Sequence, residues 1–268
     1  MNLEGDALDG NGCIVNPVRR ELIEEPWGAA VRHVVTACRA VFADDIHSLY
    51  VRGSVARGAA VQGIADLDMV LVLRELSAPP LAATIDRIEA ETRAAFAFLR
   101  GAELDAVPRA ALRGSLRPWP RQAFLLKTQG VCVDGTDLIP TLPQAHIRDA
   151  MIESRRLESS IALARQKFAS PRTCEDERQA WCVWAMKIIA RSAFELVSHL
   201  EHSHTRELRA CAAIFSKHHP AQAAAIDQAV AWAVSPTDDA AAVTSLLDGL
   251  GAWLVALQKT YAIHMPAG

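Results

Sequence analysis

The chain has six cysteines (Cys13, Cys38, Cys132, Cys174, Cys182 and Cys211) but no Cys-x-x-Cys pair. Scattered thiols of this kind do not read as a disulfide framework. They predict reduced side chains and a cytoplasmic setting. There is no surplus of positive charge either. The net charge of −3 gives no global basic field, which argues against a dedicated nucleic-acid binder. No uninterrupted apolar run approaches the ~18 residues of a membrane helix, so no membrane association is expected. The N-terminal MNLEGDALDGNG has neither a basic n-region nor an apolar h-region, and no signal peptide is expected. No internal repeat is present. The chain does have enough apolar residues to fold: 51% hydrophobic and 22% charged describes a globular protein rather than a disordered one. Its 268 residues suffice for two modest domains or one large one.

One stretch organises the rest: Leu49 to Leu73, LYVRGSVARGAAVQGIADLDMVLVL. An apolar strand over 46–51 runs into Gly53-Ser54. A loop with Gly58 and Gly63 follows, and a second strand over 67–73 has Asp66 at its mouth and Asp68 just inside. Strand side chains alternate faces, so Asp66 and Asp68 share one face while Leu67, Met69 and Leu71 take the other. Two carboxylates side by side repel unless a cation lies between them, and oxygen ligands suit a hard ion such as Mg2+. Glycine at Gly53 removes the Cβ that would keep a phosphate away from the backbone N–H groups.

This stretch resembles the nucleotidyltransferase superfamily of the DNA polymerase β type. The family signature is a Gly-Ser turn after a strand, about a dozen residues, then Asp-x-Asp on the next strand. Gly53-Ser54, eleven residues and Asp66-Leu67-Asp68 match it, with the strand context on both sides. Arg52 departs from the pattern, which usually has an apolar residue before the glycine. Ala65 departs too, where many members carry a small hydroxyl residue. The resemblance implies two-metal phosphoryl transfer, with a third acid on the next strand to complete the metal site or take a proton from the attacking hydroxyl. That strand is Ala102 to Val107, and it carries Glu103 and Asp105 on one face. Asp105, flanked by Ala106-Val107, is taken as the third acid, with Glu103 as the alternative.

Around the motif, Pro26-Trp27 opens a helix with Trp27, Val31, Val34, Cys38 and Val41 at helical spacing. Ser77-Ala78-Pro79-Pro80 signals another helix, with Leu81, Ile85, Ile88, Thr92 and Ala95 on one face. Helix, strand, strand, helix, strand predicts a small mixed sheet with helices packed on one face. The 109–143 stretch is less regular. Arg113, Arg117, Arg121 and Lys127 make it basic, Pro118 and Pro120 interrupt it, and a short strand is expected over 131–133. Trp119 and Phe124 are its only aromatics, so it reads as a solubilising loop rather than a nucleic-acid surface. From His146 onward only helical runs are expected, punctuated by Pro220 and Pro236. Thr173 and Asp176 form a capping-box pattern. The fold class is therefore α+β: a nucleotidyltransferase domain over 1–143, with 1–16 as a loose tail, then an all-α helical bundle over 144–268.

The expected helix 175–201 carries Lys187, Arg191 and Glu195 on one face beside Trp181, Trp184 and Ile188. Two readings stay open for it. Lys187 and Arg191 hold the triphosphate of an NTP, or Arg191 pairs with Glu195 on a solvated face. Antibiotic nucleotidyltransferases, such as those for kanamycin and streptomycin, similarly pair a catalytic domain with a helical one. His199, His202, His204, His218 and His219 lack a zinc-like ligand grid and read as surface groups near helix ends. Ser54 has no His/Asp partner in a recognisable context and reads as a phosphate donor rather than a nucleophile.

The resemblance thus implies an enzyme that uses Mg2+ and an NTP, with ATP as the donor. A nucleoside monophosphate moves to a hydroxyl acceptor and pyrophosphate leaves. Asp66, Asp68 and Asp105 are the metal-binding and catalytic residues. Gly53, Ser54, Arg57, Lys187 and Arg191 are the nucleotide-binding ones. An antibiotic-like small molecule is the first acceptor class, and a protein or RNA partner the second. The competing class is a regulatory, antitoxin-like module, which would match only the first half of the chain. Oligomeric state is left open, since a C-terminal helix with Leu246, Leu247, Leu250, Trp253, Leu254 and Leu257 could close the bundle or pair two subunits.

Overall fold

The structure is a computed structural model and describes residues 6–75, 81–112, 119–170 and 173–264. The helix-entry residues Ser77, Ala78, Pro79 and Pro80 lie outside the described residues, as do Arg113, Arg117 and Pro118 of the basic stretch. In chain order the strands are β1 (Asp6–Ala7), β2 (Ile46–Arg52), β3 (Asp66–Leu73), β4 (Gly101–Pro108), β5 (Val131–Gly135) and β6 (Ser203–His204). The helices are α1 (Trp27–Phe42), α2 (Gly53–Ala56), α3 (Leu81–Ala95), α4 (Arg121–Gln129), α5 (Leu157–Ala169), α6 (Glu175–Val197), α7 (Leu208–His218), α8 (Ala223–Val234), α9 (Ala240–Leu246) and α10 (Ala252–His264). The chain divides into two compact units, one of Val15–Ala145 and one that joins Met1–Ile14 to His146–Gly268.

The first unit is built on a four-stranded mixed sheet in the order β4-β3-β2-β5. β2 runs antiparallel to both β3 and β5, and β3 runs parallel to β4. The parallel pair needs a crossover, which α3 supplies. Alternation sets the faces. Leu49 and Val51 of β2, Leu67, Met69, Leu71 and Leu73 of β3, and Leu104 of β4 pack with Trp27, Val31, Val34, Cys38 and Phe42 of α1 and Ile88 of α3. Phe42 takes the buried place at the end of α1, and Val41 is 45% exposed. α3 stops at Ala95, and beyond it Phe98 meets Trp27 edge-on and Phe96 meets Phe98 edge-on.

α4 has no counterpart in the sequence reading. Pro120 occupies its N-cap, where a missing N–H costs nothing, so proline opens this helix rather than breaking it. Its Ala123, Phe124, Leu125 and Leu126 are fully buried, and Trp119 meets Phe124 edge-on at 6.0 Å. The basic stretch is therefore partly core and not simply a solvated loop.

In the second unit, α5 to α10 enclose a core that includes Leu157, Ile161, Met186, Ile189, Phe215 and Ile226. The stretch Ala240–Thr260 has the length and mean hydropathy, 1.6, of a membrane-crossing helix. Its Val243, Leu247, Leu250 and Leu254 lie inside this core. Two expectations change here. The capping box on α6 is formed by Cys174 and Glu177, one residue later than Thr173 and Asp176. The described part of the segment expected to be a loose tail is tied down from Asp6 on: β1 pairs with β6, and Cys13 forms a backbone bridge with His146.

Candidate active site

The site is on the sheet face opposite the α1–α3 core. Asp66 and Asp68 lie on that face, as alternation requires. The parallel register puts Gly101 beside Asp66, Glu103 beside Asp68 and Asp105 beside Val70. A Cβ at Gly101 would come 2.9 Å from Asp66 Oδ1, so glycine leaves room for this carboxylate.

Arg52 is the centre of the cluster. Register places it directly across from Asp68 on β2. Its side chain is 7% exposed, and Nη2 lies 3.2 Å from Asp105 Oδ2, 3.6 Å from Asp68 Oδ1 and 3.6 Å from Glu103 Oε2. Burial alone would weaken the hold of Arg52 on its proton. The charges of Asp68, Glu103 and Asp105 outweigh that and hold its pKa above the usual arginine value. Burial likewise pushes the Glu103 carboxyl up to about 7, against the pull of Arg52 and with help from Asp68, which shares a hydrogen bond with it, and from Asp105. The Glu103 side chain is still half exposed, so water moderates this push.

Asp105 has further partners on α4. Gln122 Nε2 donates to its Oδ2 at 2.5 Å, and Arg121 Nη1 is 4.0 Å from the same oxygen. The structure thus brings both β4 acids to the cluster. Asp105 is held by three side chains, while Glu103 faces Asp68 across the strand pair.

The glycine turn adjoins the carboxylates. Gly53 has φ +76°, and a Cβ there would stand 2.5 Å from Asp68 Oδ2. The Ser54 carbonyl accepts from the N–H groups of Arg57 at 3.3 Å and Ala59 at 3.0 Å, which closes the turn. Arg57 Nη2 donates to Gln129 Oε1 at 3.4 Å, linking the loop to the end of α4.

Lys187 and Arg191 lie on α6 in the helical unit, both half-buried. Arg191 Nε donates to the Arg206 carbonyl at 3.5 Å. Glu195 is not on a wet face beside Arg191. It is 3% exposed, accepts from the backbone N–H groups of Glu153 and Ser154, and faces Arg206 at 3.7 Å. His204 is buried against Phe194, and His218 meets Glu201 at 2.7 Å, so these two are structural partners within the unit.

The four acids offer only oxygen donors, which is the chemistry a hard divalent ion requires. Among the described residues, however, no three His, Cys, Asp or Glu side chains already stand arranged around an ion position. Three of the four, Asp68, Glu103 and Asp105, are gathered around Arg52 instead.

No family model matches the sequence, and no curated protein does. Solved structures do match. One of them is an adenyltransferase. The structure of spectinomycin adenyltransferase AAD(9) from Enterococcus faecialis with ATP and spectinomycin superposes with a TM-score of 0.54. It is 14% identical, and the match covers 85% of this chain and 98% of that one. At this identity the two share a fold: a mixed sheet unit followed by a helical part.

Sequence reasoning reached the two β3 acids, both β4 acids and the turn. It found Arg52 only as a departure from a pattern. The usable signal was the odd placement of a charged residue at the end of an apolar strand, two residues from Tyr50 on the same face. Gln122 gave no signal, because its helix went unrecognised.

Proposed function

We propose that the Val15–Ala145 unit carries a nucleotidyl-transfer site that moves a nucleoside monophosphate from an NTP to the hydroxyl of a small molecule. The observation that carries this reading is the convergence of Asp66, Asp68, Glu103 and Asp105 on one sheet face, with Asp68 Oδ2 against the Gly53 turn. A carboxylate face beside a glycine turn suits a triphosphate whose charge must be both oriented and offset. ATP is the proposed donor and an antibiotic-like hydroxyl compound the proposed acceptor, in keeping with the ligands named for the similar adenyltransferase.

In this reading Gly53 and Ser54 hold the terminal phosphates through the backbone of the turn and the serine hydroxyl. Asp66 and Asp68 would hold Mg2+. When bound, Mg2+ offsets the charge of the triphosphate and of the departing pyrophosphate. A β4 carboxylate, with Asp105 preferred, takes the proton of the acceptor hydroxyl. The acceptor oxygen forms its bond to the α-phosphorus as the bond to the bridging oxygen breaks, and pyrophosphate leaves with that electron pair. Gln122 and Arg121 fix the orientation of Asp105. Lys187 and Arg191 belong to the other unit, and no part of the proposal rests on them.

The test is a panel of hydroxyl-bearing antibiotics and metabolites with each NTP and Mg2+, read as pyrophosphate release. Release that depends on both acceptor and nucleotide is expected. Failure of every NTP to bind in the presence of Mg2+, measured by calorimetry, would sink the reading.

A further inference from the structure

We infer that the Arg52 guanidinium is a built-in cation that takes the place of one divalent ion, so that this face takes up one divalent ion with a nucleotide rather than two. The inference rests on the nucleotidyl-transfer reading above.

An ion bridging β3 and β4 would have to sit between Asp68 and the two β4 acids. Nη2 of Arg52 fills that space, between 3.2 and 3.6 Å from all three carboxylates. The guanidinium comes from a strand residue locked across from Asp68 by the sheet register, not from a mobile surface chain. Its Nε is buried without a hydrogen-bond partner. The head group is therefore oriented by the acids around Nη2 rather than by a fork of hydrogen bonds along its length.

A buried guanidinium is costly unless its charge is offset, and the three partly exposed carboxylates around Nη2 supply that offset, so Arg52 does not leave the cluster readily. Asp68 divides its two oxygens. Oδ1 faces Arg52, and Oδ2 faces the Gly53 turn, where a glycine Cβ would stand 2.5 Å away. The Oδ2 side, with Asp66 on the same strand face, is the side left for a divalent ion beside the phosphates.

The experiment counts bound Mn2+ by electron paramagnetic resonance, using the full chain saturated with a non-hydrolysable ATP analogue. One ion per chain is expected for the natural sequence and for Arg52→Lys, which keeps the charge. Two are expected for Arg52→Met, which removes it. Two ions in the natural protein would overturn the inference and leave nucleotidyl transfer standing. So would one ion in an Arg52→Met variant shown to be folded by circular dichroism. If Arg52→Met does not fold, the natural protein decides: one ion supports the inference and two reject it. No bound Mn2+ in any variant overturns the nucleotidyl-transfer reading, and this inference with it.

Discussion

Arg52 and Asp68 are register partners across the antiparallel β2–β3 pair, and their side chains meet on one face with Nη2 3.6 Å from Oδ1. Directly opposed cross-strand residues are the unit of sheet stabilisation. Here the pair also closes the base of the loop that carries Gly53. The carboxylate that faces the glycine turn is thereby fixed by the residue that precedes it.

Asp66→Asn and Asp68→Asn are each expected to lower nucleotidyl transfer by ~100-fold or more, the scale of losing one group that stabilises developing charge. Pyrophosphate release with the best acceptor measures this. Unchanged turnover in either variant would remove that carboxylate from the chemistry.

Gly53→Ala should act on both stability and binding. The residue has φ +76°, and the new methyl would meet Asp68 Oδ2. The left-handed backbone alone is expected to cost ~1–2 kcal/mol. Urea unfolding gives the stability change, and calorimetry with ATP and Mg2+ should show weakened binding. Full affinity in this variant would mean that Asp68 need not stand against the turn.

Tyr50→Phe isolates one buried hydrogen-bond junction. The Tyr50 hydroxyl is fully buried, accepts from Leu138 N–H at 2.7 Å and lies 3.2 Å from Ser48 Oγ. Burial, ahead of these contacts, pushes its pKa up to about 12, so it stays neutral across the working range. Loss of the oxygen strands a buried backbone N–H, and a destabilisation of ~1–3 kcal/mol is expected. Denaturant midpoints of the two proteins, compared at equal slope, check it.

Glu195→Gln tests a pH dependence. Burial first, and then the charge of Glu153, raise the Glu195 carboxyl from 4.5 to about 7, against Arg206 and the two backbone donors. An acid raised on folding holds its proton in the native state while the unfolded chain has lost it. Its contribution to stability is therefore full below pH 4.5 and is lost as pH rises to about 7. The cost above that window is on the order of 3 kcal/mol. The glutamine variant is expected to be more stable than the natural protein at pH 8, with the gap closing towards pH 5. Thermal unfolding across that range reads it, and a constant gap would refute the assignment.

The sequence by itself determined the strand–turn–strand at 46–73 and the shared face of Asp66 and Asp68. These depend on period-two alternation and on the freedom of glycine, and both are local properties. It also identified α1, α3 and the helical half, because apolar residues at helical spacing declare a buried face without reference to a partner. Only the tertiary structure decided the rest. The β3–β4 register set Glu103 against Asp68 and Asp105 beside α4, and a register is a choice between strands that neither strand encodes alone. The same holds for the pairing of β1 with β6, two residues against two, where too few side chains alternate to leave a pattern. Arg52 read as an anomaly in one strand because its three partners come from two others. A buried charge has meaning only when the acids that offset it are in place.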